Sequence, residues 1–100
     1  MKKLKHVIES QQFDEATLRR LFALADELRE NPGRYQLPGK IMASLFYEPS
    51  TRTRLSFESA MLKLGGQVIS TENAKEFSSF SKGESLEDSI EVISGYADII

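Results

Sequence analysis

A seven-residue apolar run, Ile41 to Tyr47, restricts the fold of this chain more than any other feature, and only Ser44 interrupts it. The turn residues Leu37-Pro38-Gly39 precede the run and Pro49 ends it. A short apolar run bounded by turn signals is typical of a strand that is buried on both faces, as in parallel sheets. We therefore predict a buried strand over residues 41–47.

A helix and a second strand are predicted directly after this run. Gly65-Gly66 is expected to close the helix, and Gln67 to Ser70 is expected to form the next strand. A strand, a helix of about 10–15 residues and another strand make up a right-handed βαβ unit. The predicted fold class is therefore α/β, a parallel sheet with flanking helices. Apolar residues at helical spacing mark the expected buried stripe of the helix: Phe57, Ala60, Met61 and Leu64.

Two further helices are predicted from their capping residues. Asp14 is a good N-cap for a helix that Asn31-Pro32-Gly33 ends, and we assign this helix a structural role. Ser85, followed three residues later by Asp88, is the expected N-cap of the other helix.

The polar stretch from Thr71 to Ser85 has no helical or strand period and is predicted to be a loop. Ala97 to Ile100 has the pattern of the entry to a third strand. Because a strand entry without a following partner is a poor place for a domain to end, we expect residues 1–100 to be the N-terminal part of a longer, truncated domain.

The composition excludes several classes of function. The 100 residues contain no cysteine and a single histidine, His6, which we expect at the surface, so no thiolate nucleophile, disulfide or zinc–thiolate site is available. A net charge of -2 argues against a broad nucleic-acid surface. The longest apolar run is far shorter than the about 20 residues that a membrane helix needs. We therefore expect a cytoplasmic protein that binds neither nucleic acid nor membrane.

The segment from Phe46 to Arg54 carries the candidate chemistry, because it joins the carboxyl end of the predicted strand to a helix start. Ligands bind at that end of the strands in open α/β sheets, and a helix start offers free N–H groups to an anion. No GxxxxGK[ST] or GxGxxG motif is present, which favours a small phosphate ester over a long polyphosphate. The alternative is a simple helix cap with solvated arginines. Four consecutive residues add side-chain donors: Ser50, Thr51, Arg52 and Thr53.

Arg54 is expected to have a different role from Arg52. Positions two apart on a helix do not share a face, whereas Arg54 and Glu58 are four apart and do. We therefore predict a structural ion pair between Arg54 and Glu58.

The segment Phe46-x-Glu48-x-Ser50-Thr51-Arg52-Thr53-Arg54 resembles the carbamoyl-phosphate signature of the aspartate and ornithine carbamoyltransferases. The likeness continues through Leu55 to Glu58 and Lys82 to Ser85, and it runs from about His6 to Ile100. At the position of Glu48 the resemblance is to the aspartate branch, whose members carry Glu there, whereas the ornithine enzymes usually carry Lys. The resemblance implies the N-terminal part of a carbamoyl-phosphate-binding domain, without the aspartate-binding domain.

The resemblance also implies a reaction, in which the amine of L-aspartate attacks the carbonyl of carbamoyl phosphate and phosphate leaves. Ser50, Thr51, Arg52 and Thr53 would hold the phosphate, with Thr53 also near the carbonyl oxygen, while Arg52, Thr53 and Lys82 would act in catalysis. Ser78 and Lys82 would reach into the neighbouring subunit of a homotrimer, with or without regulatory chains. Ser79 or Ser81 is the alternative to Ser78 if the alignment of the loop shifts. No metal or cofactor is implied. Another acceptor such as ornithine, or a non-catalytic phosphate-binding homologue, remains an alternative, and the 100 residues alone are expected to be inactive.

Overall fold

The computed structural model describes residues 4–72 and 85–100. A 3-10 turn at Ser10–Gln12 is followed by α1 (Glu15–Glu30), β1 (Ile41–Phe46), α2 (Thr51–Lys63), β2 (Gln67–Glu72) and α3 (Leu86–Ser94). The chain forms two compact units, Met1–Tyr35 and Gln36–Ile100. None of the helices in these described residues is long and apolar enough to cross a membrane.

The first unit contains α1, and the helix predicted after Asp14 is confirmed. The Asp14 carboxylate accepts a hydrogen bond from the Thr17 N–H at 2.8 Å, so it caps the helix as the sequence predicts. Asn31 is the C-cap residue. An exposed ion pair joins Glu15 to Arg19 one turn later, at 2.8 Å.

The second unit contains the predicted βαβ arrangement. Strands β1 and β2 pair in parallel, with Ile41 opposite Gln67 and Phe46 opposite Glu72. The second strand is longer than predicted, since Thr71 and Glu72 also belong to it and not to the loop. Gly65 ends α2 with a φ of +79°, a left-handed conformation that glycine adopts without the steric cost of a side chain.

A third segment pairs with β1 on the edge opposite β2. Ile99 forms a parallel bridge with Met42, and the Ala43 N–H donates to the Ile99 carbonyl oxygen at 2.8 Å. The segment predicted as a strand entry, residues 97–100, thus pairs with β1 through a single bridge at Ile99, and β1 lies between its two neighbours. The predicted α3 is confirmed, with the Ser85 hydroxyl accepting from the Asp88 N–H at 3.0 Å.

The core of the second unit lies around the middle of β1. Met42, Ala43 and Ser44 are buried in succession, which confirms that the centre of the strand is covered on both faces. From α2, Met61 packs into this core with 5% exposure.

The buried stripe predicted for α2 is wrong at two of its four positions. Phe57 is 60% exposed and Ala60 is exposed, whereas Leu64 is half-buried and Met61 is buried. Phe57 lies at the rim of an apolar recess of about 250 Å³, which β1, Ile99 and Ile100 also line. Among the described residues no element covers this rim, so helical spacing overestimated how much of the stripe is buried.

Candidate anion-binding site

The N-terminus of α2 lies directly beyond the carboxyl end of β1, since only residues 47–50 separate the two elements. Strand β1 has β2 on one edge and residues 98–100 on the other, although β2 precedes residues 98–100 in the chain. The chain therefore adds β2 on one side of β1 and the next segment on the opposite side, so β1 is the point at which the strand order reverses. Crevices for ligands form at the carboxyl ends of strands where such a reversal occurs.

Backbone donors are available at this helix start. The first α-helical hydrogen bond of α2 runs from the Arg54 N–H to the Ser50 carbonyl oxygen at 3.1 Å. The N–H groups of Thr51, Arg52 and Thr53 therefore have no intrahelical acceptor. Ser50 occupies the N-cap position, but its side chain makes no capping hydrogen bond. These N–H groups, together with the positive end of the helix dipole, suit an anionic ligand.

The other two helices of the described chain begin differently. Both have a capping side chain, Asp14 for α1 and Ser85 for α3, and both carry an acidic residue in the first turn. In contrast, α2 has an N-cap residue that does not cap and no acidic residue in its first turn. The simple-cap alternative therefore does not describe Ser50.

The four predicted phosphate ligands lie together on one stretch of chain at this helix start. Ser50 is half-buried, whereas Thr51, Arg52 and Thr53 are exposed. Within residues 4–72 and 85–100, none of these four side chains takes part in a hydrogen bond or ion pair. Their hydroxyl and guanidinium groups are thus uncommitted in the described part of the protein, and a guanidinium can donate to two phosphate oxygens at once.

Arg54 lies in a network of polar side chains in which Ser44 is buried and Ser70 is exposed, while Arg54 and its carboxylate partners are half-buried. Its Nε is 2.9 Å from Glu58 Oε2 and donates to Ser70 Oγ at 3.0 Å. One terminal guanidinium nitrogen lies 2.8 Å from Glu72 Oε2. Glu58 Oε2 also accepts from the hydroxyls of Ser44 and Ser70, at 3.1 and 3.0 Å. We refer to these five residues as the Arg54 cluster.

Three members of the Arg54 cluster were not predicted from the sequence: Ser44, Ser70 and Glu72. Ser44 and Ser70 are register partners on β1 and β2, and Glu72 lies two residues after Ser70, on the same face of its strand. The polar Ser44 inside an apolar run was the one available signal. The position of Ser44 indicates a polar cluster only once the strand register is known to place it opposite Ser70.

The part of the chain that the structure describes gives no contacts with the candidate site for the remaining predicted site residues. Glu48 is exposed in the segment between β1 and α2. Ser78 and Lys82 lie outside the described residues. In the described ranges, no group of three or more His, Cys, Asp or Glu side chains could hold a metal ion.

Comparisons with known proteins identify the family of this chain. Residues 5–100 match the family model described as aspartate/ornithine carbamoyltransferase, carbamoyl-P binding domain. Aspartate carbamoyltransferase 1, chloroplastic, of Pisum sativum is 59% identical over 97% of this chain and 26% of its own length. The catalytic subunit of aspartate carbamoyltransferase from Clostridium novyi is 53% identical over 96% of this chain and 32% of its own length.

Solved structures give the same result. The catalytic subunit of M. jannaschii aspartate transcarbamoylase is 48% identical, with a TM-score of 0.85 over 96% of this chain and 33% of that one. A Trypanosoma cruzi aspartate transcarbamoylase in complex with carbamoyl aspartate and phosphate is 36% identical, with a TM-score of 0.85 over 95% of this chain and 32% of that one. The chain spans about a quarter to a third of the length of these relatives. It belongs to the aspartate/ornithine carbamoyltransferase family, and it matches that family's carbamoyl-phosphate-binding domain.

Proposed function

We propose that the protein carrying this chain transfers the carbamoyl group of carbamoyl phosphate to the amino group of L-aspartate. The observation that carries the proposal is the start of α2, where the Ser50 side chain makes no capping hydrogen bond. At this point the side-chain donors of Ser50, Thr51, Arg52 and Thr53 have no partner among residues 4–72 and 85–100. The product would be N-carbamoyl-L-aspartate, a pyrimidine precursor, with inorganic phosphate as the second product.

The chemistry at this site is positioning and charge stabilisation. The neutral amine of aspartate attacks the carbonyl carbon, and the resulting tetrahedral intermediate carries an oxyanion. The C–O bond to the phosphate then breaks, and the proton lost by the amine passes to the departing phosphate. Donors at a helix start can bind the phosphate before the reaction and stabilise the charge that develops on oxygen. Thr53 is the proposed donor near the carbonyl oxygen, and Arg52 is the proposed cation on the phosphate.

Aspartate is favoured over ornithine as the acceptor. The Pisum sativum and Clostridium novyi relatives named aspartate carbamoyltransferase are 59% and 53% identical to this chain, and the M. jannaschii enzyme is 48% identical. An ornithine carbamoyltransferase from Gloeobacter violaceus is 36% identical, the same value as for the Trypanosoma cruzi aspartate enzyme. Glu48 supports the same choice by its similarity to the aspartate branch. We further propose a cytoplasmic homotrimer in which Ser78 and Lys82 complete the site of a neighbouring subunit, although the Pisum sativum relatives are named as chloroplastic.

A direct test measures carbamoyl product formed by the intact protein with carbamoyl phosphate and either L-aspartate or L-ornithine. Arg52→Ala should raise the Kd for inorganic phosphate by about 10- to 100-fold, because a hydrogen bond to a charged group contributes about 1.5–3 kcal/mol. Arg20→Ala, which removes an exposed arginine from α1, is the matched control and should leave that Kd unchanged.

Each outcome of this test has a separate meaning. Turnover with ornithine but not with aspartate would show that ornithine is the acceptor. Phosphate binding without turnover on either acceptor would favour a non-catalytic homologue. An unchanged phosphate Kd in Arg52→Ala would show that the anion site lies elsewhere.

A further inference from the structure

We propose that Arg54 is a positioning residue for the anion site, held in place by Glu58 and Glu72, and that it does not bind the phosphate itself. The proposal rests on the proposed function, since it concerns how the donors of that same site are oriented. It adds a role for Glu72, which closes the second ion pair of the Arg54 cluster.

The contacts of the Arg54 cluster connect the first turn of α2 to both strands. The Arg54 backbone N–H donates to the Ser50 carbonyl oxygen, so Arg54 closes the turn that presents the donors. Its side chain contacts Ser70 and Glu72 on β2. Through Glu58 the same cluster contacts Ser44 on β1, which is only 5% exposed. The helix start is therefore fixed against two neighbouring strands by directional bonds.

The charges explain why Arg54 is a poor phosphate ligand. The Arg54 side chain is 27% exposed, and its carboxylate partners Glu58 and Glu72 are 16% and 33% exposed. One guanidinium charge faces two carboxylates, so the cluster carries a formal charge of -1. An incoming anion would have to displace a carboxylate to reach the Nε or the bonded terminal nitrogen of Arg54. The planar fork of an arginine holds two such partners in a fixed geometry, whereas the ammonium of lysine is a compact charge on a flexible stem and has no donor at the Nε position.

Glu72→Gln distinguishes positioning from direct binding by the sign of its effect. If Arg54 bound the phosphate, removing a competing carboxylate would tighten phosphate binding. If Arg54 positions the helix start, the same change weakens binding, because one of its two ion pairs is lost. Glu27→Gln is the matched control: Glu27 is 30% exposed, lies 2.7 Å from Arg34, and belongs to the other unit.

The experiment compares the Kd for inorganic phosphate, the KM for carbamoyl phosphate and kcat in the intact protein, at a temperature well below unfolding. We expect Arg54→Met to lower kcat/KM on the order of 100-fold, the effect of a misplacement of about 1 Å. Glu72→Gln should lower kcat/KM on the order of tenfold and raise the phosphate Kd. This loss is smaller than that of Arg54→Met because the contact between Arg54 and Glu58 remains. Arg54→Lys should not restore the activity that Arg54→Met loses, and Glu27→Gln should have the same Kd, KM and kcat as the wild-type protein.

Arg54→Met leaves both Glu58 and Glu72 without their cation and is the variant at risk of misfolding. The double variant Arg54→Met with Glu58→Gln, which returns the cluster to its formal charge of -1, therefore accompanies it. A lower Tm with unchanged phosphate Kd, KM and kcat in Glu72→Gln would reduce Arg54 to a structural ion pair and overturn the proposal. Tighter phosphate binding in Glu72→Gln would assign Arg54 to the ligand instead. If Arg52→Ala loses phosphate binding while all cluster variants keep it, only the positioning role fails. An unchanged protein that neither binds phosphate nor transfers carbamoyl groups would overturn the proposed function together with the positioning role.

Discussion

Replacement of the N-cap residue should affect stability at α1 and α3 but phosphate binding at α2. At α1 and α3 the N-cap side chains accept hydrogen bonds from the Thr17 and Asp88 N–H groups at 2.8 and 3.0 Å. Ser50 accepts no such bond at the start of α2. Asp14→Ala and Ser85→Ala should therefore reduce stability, whereas Ser50→Ala should reduce phosphate binding.

The magnitudes follow from the bonds that each change removes. Loss of a capping side chain costs about 1 kcal/mol, which lowers the Tm of a domain of about 150–250 residues by about 2–4 °C. Ser50→Ala removes no cap and should shift Tm by less than about 1 °C. A hydroxyl that donates to a phosphate contributes about 1.5 kcal/mol or more, so Ser50→Ala should raise the phosphate Kd about tenfold.

Thermal unfolding in phosphate-free buffer and phosphate titration calorimetry measure the two quantities on the same three variants. The added stabilisation by phosphate provides a second check, because a ligand that binds only the folded protein raises Tm with its concentration. Ser50→Ala should lose most of that increase at a fixed phosphate concentration, while Asp14→Ala should keep it. A fall in Tm for Ser50→Ala as large as that for Asp14→Ala, with phosphate binding intact, would refute the reasoning, because Ser50 would then be an ordinary cap.

Two further predictions concern the shared site and the end of α2. Mixed assembly of Arg52→Ala and Lys82→Ala chains should regain activity that neither variant has alone, measured after the subunits are dissociated and reassembled; continued inactivity would argue that Lys82 acts within its own subunit. Gly65→Ala should lower the free energy of unfolding by about 1 kcal/mol in urea titrations because of the +79° φ, whereas Gly33→Ala, with open space around its Cβ position, should be close to neutral.

The features that were predictable from sequence depend on neighbours along the chain. The caps at Asp14 and Ser85 and the glycine at the end of α2 are properties of a few consecutive residues, and the structure contains all of them. The apolar run at residues 41–47 likewise predicted β1, because such a run in a strand is stable only when both of its faces are covered.

The features that were missed depend on register and on what covers a surface. The hydrogen bond from Ser44 to Glu58 and the ion pair from Arg54 to Glu72 join residues 14 and 18 positions apart. Neither follows from a helical or strand period, because the period does not say which residue of the partner strand is opposite. Phe57 shows the converse error: its spacing places it on the apolar stripe, but its side chain is 60% exposed in the described part of the chain.

The two arginines of the signature illustrate how one turn of helix separates ligand binding from support. Arg52 and Arg54 are about 200° apart around α2, since each residue advances a helix by about 100°. Arg54 consequently meets the carboxylates of Glu58 and Glu72, while Arg52 is exposed and without a partner among the described residues. Two free guanidinium groups would repel each other at the positive end of a helix. Pairing Arg54 with two carboxylates leaves Arg52, among the described residues, as the arginine of this turn that is available to a phosphate.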